Sequence, residues 1–351
     1  MTAKRLYACL SSRMFVPAVG VAVFALLAAG FFYMNGYAPL TIFAQIVQGA
    51  FGSALSVNTT LAKTIPILFC AMATALPARM GLISVGAEGQ LYFGALAGTA
   101  AVLRMLDAPA FELLPAALAL SVLGGALWGA LPGLLRARLG VNETIVTILM
   151  NYLGIQLVEY AVYGPWKDAG NLGWPATVAF PAASRFPQLT AGALSSNWAL
   201  VLALLLALLL HLLVEYSRWG TALALLRSNP RVARMSGLSY SRYAVAVMAL
   251  AGALAGVAGY VQTANVQSHL QPDISSGYGY VGFLVAWLAG QNLLRIVPLS
   301  LVMGGLLSAA DALQLFAQLP FANTVVLQAM LFISVLAVGA LHARHVGGGR
   351  A

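Results

Sequence analysis

Trp198-Ala199-Leu200-Val201-Leu202-Ala203-Leu204-Leu205-Leu206-Ala207-Leu208-Leu209-Leu210-His211-Leu212-Leu213-Val214 contains no charged side chain. With its flanks at 197–215 it has the length, about 20 apolar residues, that lets one helix cross the hydrocarbon core of a bilayer. Comparable apolar segments lie near 14–34, 60–79, 84–103, 112–135, 143–163, 243–264, 278–291, 296–316 and 323–341. The chain is 61% hydrophobic and 8% charged, whereas a soluble domain carries about a quarter charged residues. These numbers predict an all-α, polytopic transmembrane bundle of about ten helices and exclude a soluble globular fold.

The segment at 278–291 is short, which predicts a tilted, broken or re-entrant helix. The stretch 39–58 is moderately apolar and punctuated by glycine, so a short helix at the outer surface is expected there. Lys4, Arg5 and Arg13 precede the first apolar run in the manner of a signal peptide. That run exceeds the 7 to 15 residues of a signal core, so it reads as a retained first helix.

The net charge of +9 has its explanation in sidedness rather than in nucleic acid. With the N-terminus inside and alternating spans, only Lys63, Arg104, Lys167 and Arg185 fall outside, which leaves 14 of the 18 basic residues in the cytoplasm. Both termini are then cytoplasmic. The expected organisation is a cytoplasmic N-terminus (1–13), a membrane domain (14–341) and a cytoplasmic tail (342–351). Two connections interrupt the membrane domain: an outer loop rich in proline and aromatics at 164–197, and an inner loop at 216–242 that carries five arginines and an Asn229-Pro230 turn signal.

Small residues one turn apart permit close helix packing in lipid, and Gly94/Gly98, Gly125/Gly129 and Gly252/Gly256 have that spacing. Polar residues inside spans face a cavity or a partner. At roughly 100° per residue, Thr144, Thr147, Asn151 and Glu159 fall within an arc of about 120°, while Asn142 and Glu143 sit where an N-cap and a dipole-complementing carboxylate belong. Gln262 and Asn265 follow the glycine face of a later span. Ser308, Asp311, Gln314 and Gln318 share one side of another. Together they form a polar seam suited to an uncharged polar solute, each with an interhelical hydrogen bond as its plain structural alternative.

No enzyme chemistry is legible. His211 and His269 are isolated, His342 and His345 sit on a basic tail, and Cys9 and Cys70 are lone thiols. There is no metal-ligand spacing, no Gly-x-Ser-x-Gly and no phosphate-cradling loop. No cofactor or metal is expected, and any ATPase must be a separate polypeptide.

Gly81-Leu82-Ile83-Ser84-Val85-Gly86-Ala87-Glu88-Gly89-Gln90 resembles the Gly-Leu-x-Asn-Ile-Gly-x-Glu-Gly-Gln signature of ABC importer permeases of the nucleoside and simple-sugar group, within the branched-chain amino acid and ribose-type permease superfamily. Ser84 stands where that family usually has Asn. Three glycines around a glutamate describe an irregular helix start that exposes backbone donors to a cavity. Asn142-Glu143-Thr144-Ile145-Val146-Thr147-Ile148-Leu149-Met150-Asn151-Tyr152 and Gly164-Pro165-Trp166-Lys167-Asp168 are similar to the longer permease of the nucleoside branch. Arg227-Ser228-Asn229-Pro230-Arg231-Val232-Ala233-Arg234-Met235-Ser236-Gly237-Leu238 resembles the coupling segment, followed by a small-residue helix. The likeness extends from Thr60 to Val338.

The resemblance implies a type II ABC importer-like permease. Its path would be lined by Glu88, Gln90, Thr147, Asn151, Glu159, Gln262, Asn265 and Asp311. Its ATPase contact would be Arg227, Asn229, Pro230, Arg231, Ala233, Arg234 and Gly237. The implied partners are a second homologous permease subunit, an ABC ATPase subunit with duplicated nucleotide domains, and an extracytoplasmic solute-binding protein. The solute would be a nucleoside or related molecule, with a simple sugar as the alternative. A rival class is a secondary transporter driven by an ion gradient, with Glu88, Glu159 and Asp311 as coupling carboxylates. A receptor or scaffold bundle is a third.

Overall fold

Each of the ten apolar segments carries a helix in the computed structural model, which describes residues 15–170, 173–316, 320 and 322–347. The first six helices are α1 (Phe15–Met34), α2 (Pro39–Phe51), α3 (Ala54–Ala78), α4 (Ala87–Arg104), α5 (Ala110–Leu139) and α6 (Glu143–Tyr163). A hairpin of β1 (Gln188–Ala191) and β2 (Leu194–Asn197) leads into α7 (Trp198–Tyr216), α8 (Arg218–Ser228) and the one-and-a-half-turn α9 (Pro230–Met235). Then come α10 (Tyr240–Val261) with a π-helical turn at Gln262–Gln267, α11 (Tyr278–Leu288), α12 (Leu293–Phe316) and α13 (Ala322–Gly347). The expectations placed on residues 1–13, Cys9 and Gln318 lie outside the described residues.

Among the described residues six helices are long and apolar enough to cross a membrane alone, or seven if the α1–α2 pair, bent by 115°, is one span. This is fewer than the ten spans expected. Helix α4 is buried along most of its length by other helices, so its side chains need not suit lipid, and α11 has only 11 residues.

The chain divides into two compact units, residues 61–304 and residues 1–60 with 305–351. In the second of these, α1 packs on α13, and Ala28, Phe32, Ile42, Leu313 and Leu327 form the core. Helix α2 is the helix expected within 39–58, and Ser308 donates to the Gly49 carbonyl at 3.3 Å.

The other unit is built on α4, α5 and α10, which touch backbone to backbone. A Cβ on Gly94 would lie 2.2 Å from the Gly256 Cα, and one on Gly252 would lie 2.0 Å from the Gly125 carbonyl oxygen. All three glycine pairs read from the sequence thus serve one intramolecular contact. Buried Ser121 bridges it, its hydroxyl 2.8 Å from the Gly94 carbonyl and 2.7 Å from that of Gly256.

Gly252→Leu should lower the thermal midpoint of the detergent-purified chain sharply, because overpacking against backbone that has no rotamer to yield reaches or exceeds the usual cost of about 1–3 kcal/mol. Gly30→Ala, whose new methyl group meets nothing within 4 Å, should leave it unchanged or raise it. Equal midpoints for the two variants would refute the close-packed contact.

Candidate functional site

Helix α3 stops at Ala78, and Gly81, at φ +82°, turns the chain out of helical geometry. Residues 82–85 have no regular secondary structure before α4 begins. Backbone of this kind inside a membrane protein requires partners for its N–H and C=O groups, and one face of α6 provides them. Glu143 Oε1 accepts from the Ile83 amide at 3.2 Å, and the Thr144 hydroxyl donates to the Ile83 carbonyl at 3.0 Å. The Thr147 hydroxyl accepts from the Val85 amide at 3.2 Å, and Asn151 Nδ2 donates to the Val85 carbonyl at 2.9 Å. Asn151 Oδ1 then accepts from the Gly89 amide at 2.8 Å.

Alternate residues of the broken segment are therefore paired on both sides as in a strand, with side chains of a helix in place of the neighbouring strand. The backbone donors at Ile83, Val85 and Gly89, expected to point at a cavity, are already taken. Close approach makes this possible, since a Cβ on Gly89 would fall 2.7 Å from the Asn151 Cα. Asn142 caps α6 as expected, accepting from Thr144 and Ile145. Glu143 does more than complement its own helix, because its other oxygen lies 3.3 Å from Arg136 Nε.

Glu88, 2% exposed, stands in the first turn of α4 but acts on another helix. Its carboxylate accepts from the Gly279 amide at 2.6 Å, and the Ser275 hydroxyl and Tyr280 amide also donate to it. These amides open α11, so the carboxylate lies at the positive end of that helix's dipole. It caps α11 in trans. Gln90, one residue beyond Gly89, is equally buried, and neither its Nε2 nor its Oε1 has a hydrogen-bond partner.

The remaining seam residues separate. Gln262, 5% exposed, begins the π turn. Asn265 exchanges two bonds with the backbone of Phe186, at 3.2 and 3.1 Å. The loop at 164–197 is fastened to the same stretch by the Thr177 amide on the Leu270 carbonyl at 3.0 Å and the Phe180 amide on the Ser268 carbonyl at 2.7 Å. Asn265 thus anchors the loop. Glu159 is half-buried on α6, about 12 Å along the axis from Asn151 at 1.5 Å per residue. Asp311 belongs to the other compact unit, on α12.

Sequence reasoning missed Ser275 and Tyr280. The first was within reach: Ser275 before Gly277 and an apolar run is a helix-start signal, and its hydroxyl accepts from the Gly277 and Tyr278 amides. Tyr280, whose hydroxyl lies 3.5 Å from Asn151 Nδ2, carried none.

The loop at 216–242 folds as α8 and α9. Asn229 caps α9 through Arg231 and Val232, Pro230 takes its first position, and Gly237 at φ +78° ends it. Ala233 is buried, while Arg231, Val232, Arg234 and Met235 are exposed, Met235 at 90%. Arg227 Nη1 donates to the Ala78 carbonyl at 3.3 Å, which ties this loop to the end of α3 just before the broken segment.

A family model described as branched-chain amino acid transport system / permease component matches residues 56–336. A glucose ABC transporter permease of Haloferax volcanii is 26% identical over 84% of this chain and 78% of its own length. A guanosine ABC transporter permease of Bacillus subtilis is 28% identical over 84% and 85%. A nucleoside ABC transporter permease of Lactococcus lactis is 26% identical over 86% and 85%.

Asn151→Leu strands both the Val85 carbonyl and the Gly89 amide, and each unsatisfied buried group costs about 1–3 kcal/mol. Thr147→Val strands one group. Thermal unfolding in detergent should therefore rank wild type above Thr147→Val above Asn151→Leu; identical midpoints would show that α6 does not hold the segment.

Proposed function

Because the chain belongs to the branched-chain amino acid transport system / permease component family, we propose that it forms the translocation path for a nucleoside or related small polar solute. It is the permease subunit of an ATP-binding cassette importer, a multi-pass protein of the cell membrane and a transport component rather than an enzyme. Such a permease works with an ATPase and a solute-binding protein. An ion-gradient-driven transporter, the rival class, is set aside by this membership.

The observation that carries the solute class is Gln90. A buried amide with neither its donor nor its acceptor engaged is costly unless something binds it, and an uncharged solute with hydroxyl and ring-nitrogen groups would use both. We assign Gln90, Gln262 and the rim of Glu88 to the path wall. Thr147 and Asn151 brace that wall, Asn265 holds its outer end, and Glu159 extends the polar face of α6, while Asp311 is a separate polar position on α12. The blocks 142–152 and 164–168 favour the nucleoside branch and a heterodimer with a second, homologous permease. The glucose permease of Haloferax volcanii, at comparable identity, supports a simple sugar as the second reading.

The coupling contact is α9 and its flanks: Arg231 and Arg234 face outward beside Val232 and Met235, a mixed basic and apolar knob that fits a groove on an ATPase. Asn229, Pro230, Ala233 and Gly237 shape the knob, and Arg227 links it to α3. The duplicated nucleotide domains of that ATPase, about ten spans and cytoplasmic termini complete the reading.

Arg231→Glu with Arg234→Glu should abolish solute-dependent ATP hydrolysis by the complete reconstituted complex without reducing membrane insertion, and wild-type hydrolysis would remove α9 from the contact. Gln90→Leu should cut uptake of labelled guanosine or glucose at least tenfold, the equivalent of about 1.4 kcal/mol. Undiminished uptake of both solutes would dismiss Gln90.

A further inference from the structure

A cavity of about 450 Å³ lies where the ends of α3 and α7 meet α8, apart from the path residues. Arg79, Glu215, Thr221, Ala224, Arg227 and Ser228 line it. Arg79 Nη2 pairs with Glu215 Oε1 at 2.7 Å, but its Nε is buried without a partner. Arg227 gives one N–H to the Ala78 carbonyl and otherwise lines the same space. Two guanidiniums thus face one carboxylate, and an arginine has five N–H donors to place. The cavity has one uncompensated positive charge and spare donors, which is a demand for an anion.

Its position narrows the anion. Helices α3 and α7 both qualify as membrane spans, and the cavity sits at their ends on the side that bears the arginines of the inner loop. On α7, Leu205, Leu208, Leu212 and Glu215 fall within about 80° at roughly 100° per residue. The three leucines are 60%, 47% and 48% exposed. An apolar ridge therefore runs down the lipid-length helix and ends at the cavity mouth, an arrangement that suits acyl chains above and a headgroup below. The outward knob for a protein partner is elsewhere, on α9.

We propose that this cavity binds the phosphate diester of an anionic phospholipid of the inner leaflet, with Arg79 and Arg227 on the phosphate oxygens, and with Thr221 and Ser228, whose hydroxyls donate to the Arg218 and Leu225 carbonyls, left as acceptors for headgroup hydroxyls. Planar guanidinium matches phosphate in a bidentate fashion, and basic pockets at the cytoplasmic ends of helices take such headgroups. Because Arg227 also begins the coupling loop, a bound lipid would brace the joint between α3 and α8. The proposal shares its side assignment with the coupling contact and is independent of the solute.

The full chain, purified in mild detergent, should retain phosphatidylglycerol in native mass spectrometry while phosphatidylcholine is stripped. Arg79→Gln should reduce that retention roughly tenfold, about one decade in dissociation constant. Ala224→Leu, which fills the cavity and leaves the Arg79–Glu215 pair intact, should do the same and guards against misfolding of the first variant. Retention unchanged in Ala224→Leu, or equal retention of phosphatidylcholine, overturns the proposal. Displacement of phosphatidylglycerol by millimolar inorganic phosphate would assign the site to free phosphate instead. If phosphatidylglycerol is not retained while Arg79→Gln weakens binding of the ATPase subunit, the cavity is a protein contact and the lipid assignment fails.

Discussion

A stretch of chain that is not helical is tolerated inside a membrane protein only where protein or a water-filled cavity satisfies its amides and carbonyls. In the broken segment the amides and carbonyls of Ile83 and Val85 are satisfied by Glu143, Thr144, Thr147 and Asn151. Much of the 61–304 unit follows from it. Helix α6 must present a polar face and approach within glycine distance. Helix α4 must start where the segment ends, and its first-turn carboxylate is thereby set against the opening amides of α11. Three consecutive features of one signature thus stand in three different settings: an extended turn held by α6, a buried acid that caps α11, and a buried amide with no hydrogen-bond partner.

The glycine contact among α4, α5 and α10 is the complementary constraint. In lipid there is no hydrophobic drive to hold helices together, so contact area and polar bridges must suffice. Backbone touching backbone around Gly94, Gly125 and Gly252, with the Ser121 hydroxyl between two carbonyls, gives a rigid base. The broken segment and the π turn are the irregular pieces mounted on it.

Much of this was legible in the amino-acid order. Every apolar segment carries a helix, the glycine spacings mark a real contact, and Asn142 and Asn229 cap the helices that their positions announce. What periodicity could not supply was the partner of a polar face. Thr144, Thr147 and Asn151 share an arc on α6, and the arc reads the same whether it fronts a solute or a stray piece of backbone. Among the described residues six helices, or seven with the bent α1–α2 pair, qualify as spans by themselves, and neither the largely buried α4 nor the 11-residue α11 is one of them. The π turn left no pattern in the sequence, since a single inserted residue shifts register without changing composition.

The pair of hydrogen bonds between Asn265 and the Phe186 backbone has a consequence for the chain on either side of it. With Thr177 and Phe180 it laces the loop that precedes the β-hairpin onto the π turn and the stretch that follows, and that stretch runs into the helix whose first amides grip Glu88. The loop and the buried carboxylate are thus two ends of one short run of chain, so a change that loosened Asn265 would free the lead-in to α11 as well as the loop.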